Sequence, residues 1–179
     1  MDDRDLLRRI RLGDEQAFDA LFRLHYAALV GFTESLLHDR MVAEDVVQDV
    51  LLEVWRRRES LEIDLTWRSY LFRAARNRAL NEIRHARVAQ RAEPLARGPE
   101  SVEASSPGDL EERELDDAFR QALASLPAQV REVFELSRRD GLRYSEIAAA
   151  LGISVKTVEA RMGRALKELR EQLSAWLPG

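Results

Sequence analysis

Apolar residues recur at helical spacing along almost the whole chain. From residue 1 to about 90 they stand at Ile10, Ala17, Phe18, Leu21, Phe22 and Leu24, then at Leu29, Phe32, Leu36 and Leu37. Such three-and-four steps predict amphipathic helices. Asp14 follows Gly13 and is placed to cap a helix start. In MVAEDVVQDVLLEVWRRR, Val47, Val50, Leu51 and Val54 share one face and are expected to be buried. In TWRSYLFRAARNRALNEIRHARV the buried stripe is Leu71, Phe72, Ala75, Ala79 and Ile83. Leu115, Phe119, Ala122, Leu123 and Leu126 predict a further helix, and Pro127 suits the first turn of the next. Near the end, Ile147, Ala148 and Leu151 face a core, and Gly152 stops that helix with a positive φ. Ile153 tucks under the turn and Ser154 caps a last helix, whose stripe is Val158, Met162, Ala165, Leu166, Leu169 and Leu173. No strand-like alternation interrupts the pattern, so the expected fold is all-α.

One stretch breaks the periodicity. RAEPLARGPESVEASSPGDLEE carries Pro94, Pro99 and Pro107 with scattered Gly and Ser. Its few large apolar residues cannot offset the entropy of ordering, which predicts a flexible linker. The expected division is two small helical domains, 1–90 and 113–179, joined by an acidic linker at 91–112.

Charge changes the picture more than composition does. The net charge is −4 over 179 residues, which by itself argues against a nucleic-acid partner. Taken in blocks it alternates: −6 over residues 1–64, +5 over 65–90, −6 over 91–117 and +3 over 118–179. Two basic regions separated by acidic ones suit two DNA contacts on one chain.

Several chemistries find no support. The chain has no cysteine, which excludes disulfides and thiolate metal sites. His25, His38 and His85 are scattered, and no phosphate-cradling glycine loop or nucleophile elbow is present. Asp45, Asp49 and Glu53 stack along one helix, an arrangement that rarely encloses an ion. No catalytic residue, metal or cofactor is expected. The N-terminal stretch is acidic without a signal-peptide core, and no apolar run approaches the length needed for membrane insertion. A cytoplasmic protein is expected.

The positive candidates fall in three places. The last two helices form a helix-turn-helix pattern, in which Ser154 caps the second helix and Val155, Lys156, Thr157, Glu159 and Arg161 are placed to reach base edges, with Arg164 beyond them. The bland reading of the same residues is a helical hairpin with a solvated face. In the second place, Arg73, Arg76, Asn77, Arg84 and Arg87 cluster on one side of a helix, with Asn81 nearby and Trp67 and Tyr70 at its start. Arginines contact phosphates, whereas amides and aromatics suit unpaired bases. For Trp67 and Tyr70, core packing and base contact are equally open. In the third place, Leu52 stands among Asp45, Gln48, Asp49, Glu53 and Arg56, either as a stray surface leucine or as the apolar anchor of a docking surface.

Taken together, these motifs resemble the extracytoplasmic-function, or group IV, sigma factors of bacterial RNA polymerase. AEDVVQDVLLEVWR looks like the family's region 2.2, TWRSYLFRAARNRALNEIR like regions 2.3 and 2.4, and LPAQVREVFELSRRDGLRYSEIAAALGISVKTVEARMGRALKELR like region 4. The resemblance implies that Asp45, Gln48, Asp49, Leu52 and Glu53 bind the clamp helices of the polymerase β′ subunit. It implies that Trp67, Tyr70, Arg73, Arg76, Asn77, Asn81 and Arg84 open and read the −10 element, and that Ser154 to Arg164 read the −35 element. Core polymerase, including its β subunit, promoter DNA and an anti-sigma protein are the implied partners. Tyr70 stands where the family commonly has Trp, and Arg143 where Ser or Thr often opens the first helix of the helix-turn-helix. A dimeric regulator of palindromes shares the C-terminal motif but has no need of the Arg and Asn cluster at 73–87. A pure protein-interaction bundle would leave both basic blocks accidental.

Overall fold

The computed structural model describes residues 2–64, 66–92 and 110–176. Among these residues every regular element is helical: α1 (Asp3–Arg11), α2 (Glu15–Leu37), α3 (Arg40–Arg57), a single 3-10 turn at Arg58–Ser60, α4 (Trp67–Ala92), α5 (Leu110–Ser125), α6 (Ala128–Arg138), α7 (Tyr144–Leu151) and α8 (Val155–Gln172). The helices separate into two compact units, α1–α4 in one and α5, α6 and α8 in the other. The middle of the expected linker, 93–109, lies outside the described residues, and its two edges belong to α4 and α5.

In the first unit α2 packs on α3 and α4, which also pack on each other, and α1 lies against α2. Leu21, Leu29, Phe32, Val47, Val54, Trp67, Leu71 and Phe72 are completely enclosed. Phe32 and Phe72 meet with ring centres 5.1 Å apart. Local chemistry sets the helix ends. Asp14 accepts from the N–H groups of Gln16 and Ala17, as its position predicted. Arg9 also donates to its carboxylate at 2.8 Å. That bond is the main reason its pKa falls below 3.8, backbone donors adding to it and burial opposing. His38 ends α2 in the left-handed region, at φ 55, and Asp39 caps α3 through the Val42 N–H. The start of α4 is held twice. Thr66 and Ser69 exchange hydrogen bonds around the first turn, and the Trp67 N–H donates 2.9 Å to the carboxylate of Asp3 in α1.

In the second unit α8 packs on α6 and α5, burying Val133, Leu136, Val158, Met162 and Ala165. Pro127 sits one position before α6, as its cap, and not in the first turn. Gly141, at φ 67, reverses the chain after α6, and the Leu142 N–H returns to the Leu136 carbonyl.

Some apolar positions lie off the buried face. Leu24 is exposed in α2 and Leu166 in α8, while Leu115 and Phe119 of α5 are partly exposed. Leu151 and Leu173 are half-buried, and Ala150 takes the interior position beside Ile147 and Ala148.

Candidate nucleic-acid interface

The helix-turn-helix is built as a turn with few freedoms. Gly152 takes φ 67 and the Ile153 N–H donates to the Ala148 carbonyl at 3.0 Å, the long bond of a Schellman stop. Ser154 Oγ then accepts from the Thr157 N–H at 3.1 Å and lies 2.8 Å from the Thr157 hydroxyl. At the start of α7, Arg143 brings no capping oxygen. The lost half of the capping box is balanced by the other half, because Glu146, buried, accepts from the Arg143 N–H at 2.9 Å.

Buried Val158, Met162, Ala165 and Leu169 fix which face α8 turns outward. Ser154, Val155, Lys156, Glu159 and Arg164 are exposed there, and Thr157 and Arg161 are half-exposed. Arg161 donates to Gln129 of α6 at 2.8 Å, and Arg164 pairs with Glu168 at 2.6 Å. Lys156 and Val155 therefore lie at the uncrowded end of the helix, while Arg161 is tied to its neighbour. Gly163 is also exposed, and a β-carbon there would meet nothing within 4 Å.

The second candidate surface lies on α4. Arg73, Asn77, Asn81 and Arg84 are exposed, and Arg76 is half-buried. Arg84 donates to the Asn81 side-chain oxygen. Trp67 is a correction to the candidate set. Its indole is completely enclosed, so it is a core residue with no surface to offer a base. Tyr70 is half-buried and stands edge-on to Trp67, with ring centres 6.3 Å apart. Burial pushes its phenol above the ordinary value of 10.0, with Glu53 adding to the rise and Arg57 opposing it. The hydroxyl therefore stays protonated and can donate.

The third surface is the outer face of α3. Asp45, Gln48, Asp49 and Leu52 are exposed and Glu53 is half-exposed, with Leu52 showing 49% of its surface beside Leu51 at 2%. Between α3 and α4 runs a groove of about 230 Å³, lined by Val50, Glu53 and Val54 on one wall and Tyr70, Asn77 and Asn81 on the other. One residue absent from the sequence-derived set, Arg78, also lines it and pairs with Asp49 across the helices. Gln129, which accepts from Arg161, is likewise outside that set. Both pairings join distant stretches of chain and leave no local signal. Among the described residues no cluster of His, Cys, Asp or Glu is placed to hold a metal ion, and no helix is long and apolar enough to cross a membrane.

A helical bundle followed by a helix-turn-helix unit, each with an exposed basic helix, is the arrangement expected of a DNA-binding protein. Comparison with known proteins makes the class specific. Sigma-70 region 2 matches residues 21–88 and sigma-70 region 4 matches residues 116–169. The ECF RNA polymerase sigma factor SigK of Mycolicibacterium vanbaalenii is 31% identical over 172 residues, 94% of this chain and 87% of that protein. The RNA polymerase sigma factor CnrH of Cupriavidus metallidurans is 32% identical over 181 residues, 97% of this chain and 95% of that one. A solved structure of CnrH in complex with the cytosolic domain of CnrY matches with a TM-score of 0.66 at 28% identity, covering 97% of each chain. RpoE in complex with the anti-sigma factor NepR, from Bartonella quintana, matches with a TM-score of 0.68 at 29% identity, covering 88% of this chain and 96% of that one. The chain belongs to the extracytoplasmic-function group of the sigma-70 family. It is a promoter-recognition factor for transcription initiation, and it carries out no covalent chemistry itself.

Proposed function

We propose that the two units divide promoter recognition between them, the first (residues 1–90) acting at the −10 element and the second (113–179) at the −35 element. The observation that carries this reading is the contrast between the two exposed helices. On α8 the cap at Ser154 and the buried stripe leave Val155, Lys156, Thr157 and Glu159 as a short polar end suited to a major groove. On α4 one side lines a groove with a tyrosine and two amides, groups that serve unpaired bases better than paired ones. In this reading Tyr70, Asn77 and Asn81 hold the separated strand, and Arg73, Arg76 and Arg84 follow its phosphates. Lys156 contacts bases, and Arg161 and Arg164 complete the duplex contact.

Core polymerase is the partner that brings both helices to DNA, docking through its β′ clamp helices and β subunit. Leu52 with Asp45, Gln48, Asp49 and Glu53 is the docking face, an apolar anchor in a polar ring. CnrH is seen with the cytosolic domain of CnrY and RpoE with the anti-sigma factor NepR, and by likeness to the second an anti-sigma protein restrains this chain. The cytoplasm, where polymerase and promoter meet, is its place of work. Purified chain added to sigma-free core polymerase should yield promoter-specific transcripts. Transcription no more specific than that of core alone would refute the reading.

A further inference from the structure

The wall that α3 gives to the groove carries one carboxylate, Glu53, beside Val50 and Val54, and Asp49 lies outside that lining. Asp49 and Glu53 stand one turn apart on α3, and each carries an arginine: Arg57 pairs with Glu53 from the same helix at 2.9 Å, whereas Arg78 reaches Asp49 from α4. Asp49 and Arg78 are separated by 29 residues and both side chains remain about half exposed, so the pair is accessible to solvent and to partners. On α4, Arg78 adjoins Asn77 and stands three residues before Asn81, on the side that lines the groove with Tyr70. A nucleic-acid strand entering the groove in the free chain meets the Glu53 carboxylate and a cation, Arg78, that is already engaged by Asp49.

We propose that Arg78 is a further strand-binding residue, held off by Asp49 in the free chain and released when a cationic surface of the polymerase takes up Asp49. The inference rests on the docking and strand-holding roles proposed above. Asp49 belongs to the docking face, so one carboxylate serves two cations that compete for it. Exchange of its partner leaves the guanidinium free at the edge of the amide-lined wall, where a phosphate of the unpaired strand can replace the carboxylate. Docking and strand capture are then coupled through one ion pair, each favouring the other. An exposed pair is worth little by itself, which suits a contact that must be given up.

The test uses the full chain without polymerase and a fluorescein-labelled single-stranded oligonucleotide bearing a −10 sequence, read by anisotropy at several salt concentrations. Asp49→Asn should tighten binding by about 1.4- to fivefold, the range set by the worth of an exposed ion pair. It should also steepen the salt dependence by about 0.7 in log–log slope, one additional phosphate contact. In the Arg78→Gln background the same change should bring no gain. Absence of any gain from Asp49→Asn overturns the proposal. So does a gain that persists with Arg78→Gln, because it would reflect only the removal of a negative charge near DNA. The outcome is separable from the strand-holding role itself: full promoter opening by holoenzyme lacking the Asn77 amide removes that role, whereas an opening defect there with no gain here removes only the release mechanism.

Discussion

Leu51 and Leu52 are neighbours on α3 with opposite surroundings, and truncating each should fail in a different assay. Leu51 is 2% exposed and Leu52 49%. Leu51→Ala removes buried methyl groups from a packed core and should cost about 2–5 kcal/mol of stability. Leu52→Ala removes atoms already half in water and replaces one good helix former with another, so the unfolding midpoint should hardly move. The loss at Leu52 should appear on docking. Full burial of a leucine is worth about 1.5–3 kcal/mol, so covering its exposed half contributes roughly 1 kcal/mol. That is about a fivefold change in dissociation constant, and more if the residue is a central anchor. The assay is a titration of core polymerase into fluorophore-labelled chain, with thermal unfolding followed by circular dichroism on the same samples. Wild-type affinity for core in the Leu52→Ala chain would refute the docking face. A fall in affinity matched by an equal fall in stability would show that Leu52 acts through folding.

Three further outcomes are expected. Lys156→Ala should relax preference at one base pair of the −35 element and cost roughly 1–3 kcal/mol, whereas Arg161→Ala should weaken all −35 variants more evenly if it serves phosphate; binding by a panel of duplexes distinguishes them. Gly163→Ala should raise thermal stability by about 1 kcal/mol, because the added methyl meets nothing within 4 Å and the helix interior gains rigidity. If Gly163 is needed for close approach to a phosphate, that variant should be more stable and bind −35 DNA less well. Asp14 titrates below 3.8 in the folded chain, so its contribution to stability is present above that value and is lost as the pH falls through the lower folded value; Asp14→Asn should flatten this part of the acid unfolding curve.

The helices were legible because burial has the helical period, and the caps at Asp14 and Ser154 were legible because a cap is a local arrangement. The limits have physical causes. Leu24 and Leu166 read as core but stand exposed, since periodicity gives the direction of a side chain and not the width of the neighbour it meets. Trp67 was ambiguous between core and base contact, and only the packing of α4 settles it as buried. The pairs Asp3 with Trp67, Asp49 with Arg78 and Gln129 with Arg161 join residues 64, 29 and 32 positions apart. No periodicity reports such contacts. Glu146 is a different case, because a glutamate three residues after a helix start is a local back-cap that spacing alone can reveal, even where Arg143 brings no capping oxygen.

The central claim is that α4 holds the unpaired strand while α8 holds the duplex, and Asn77 is the residue on which it turns. Asn77 is exposed on the α4 wall of the groove, so Asn77→Ala leaves the core untouched while removing an amide offered to a base. In holoenzyme on a promoter, permanganate should show reduced reactivity of unpaired thymines around the −10 element, alongside near-normal footprint protection of the −35 duplex. Full thymine reactivity in the Asn77→Ala holoenzyme, or loss of −35 protection together with opening, would contradict the account.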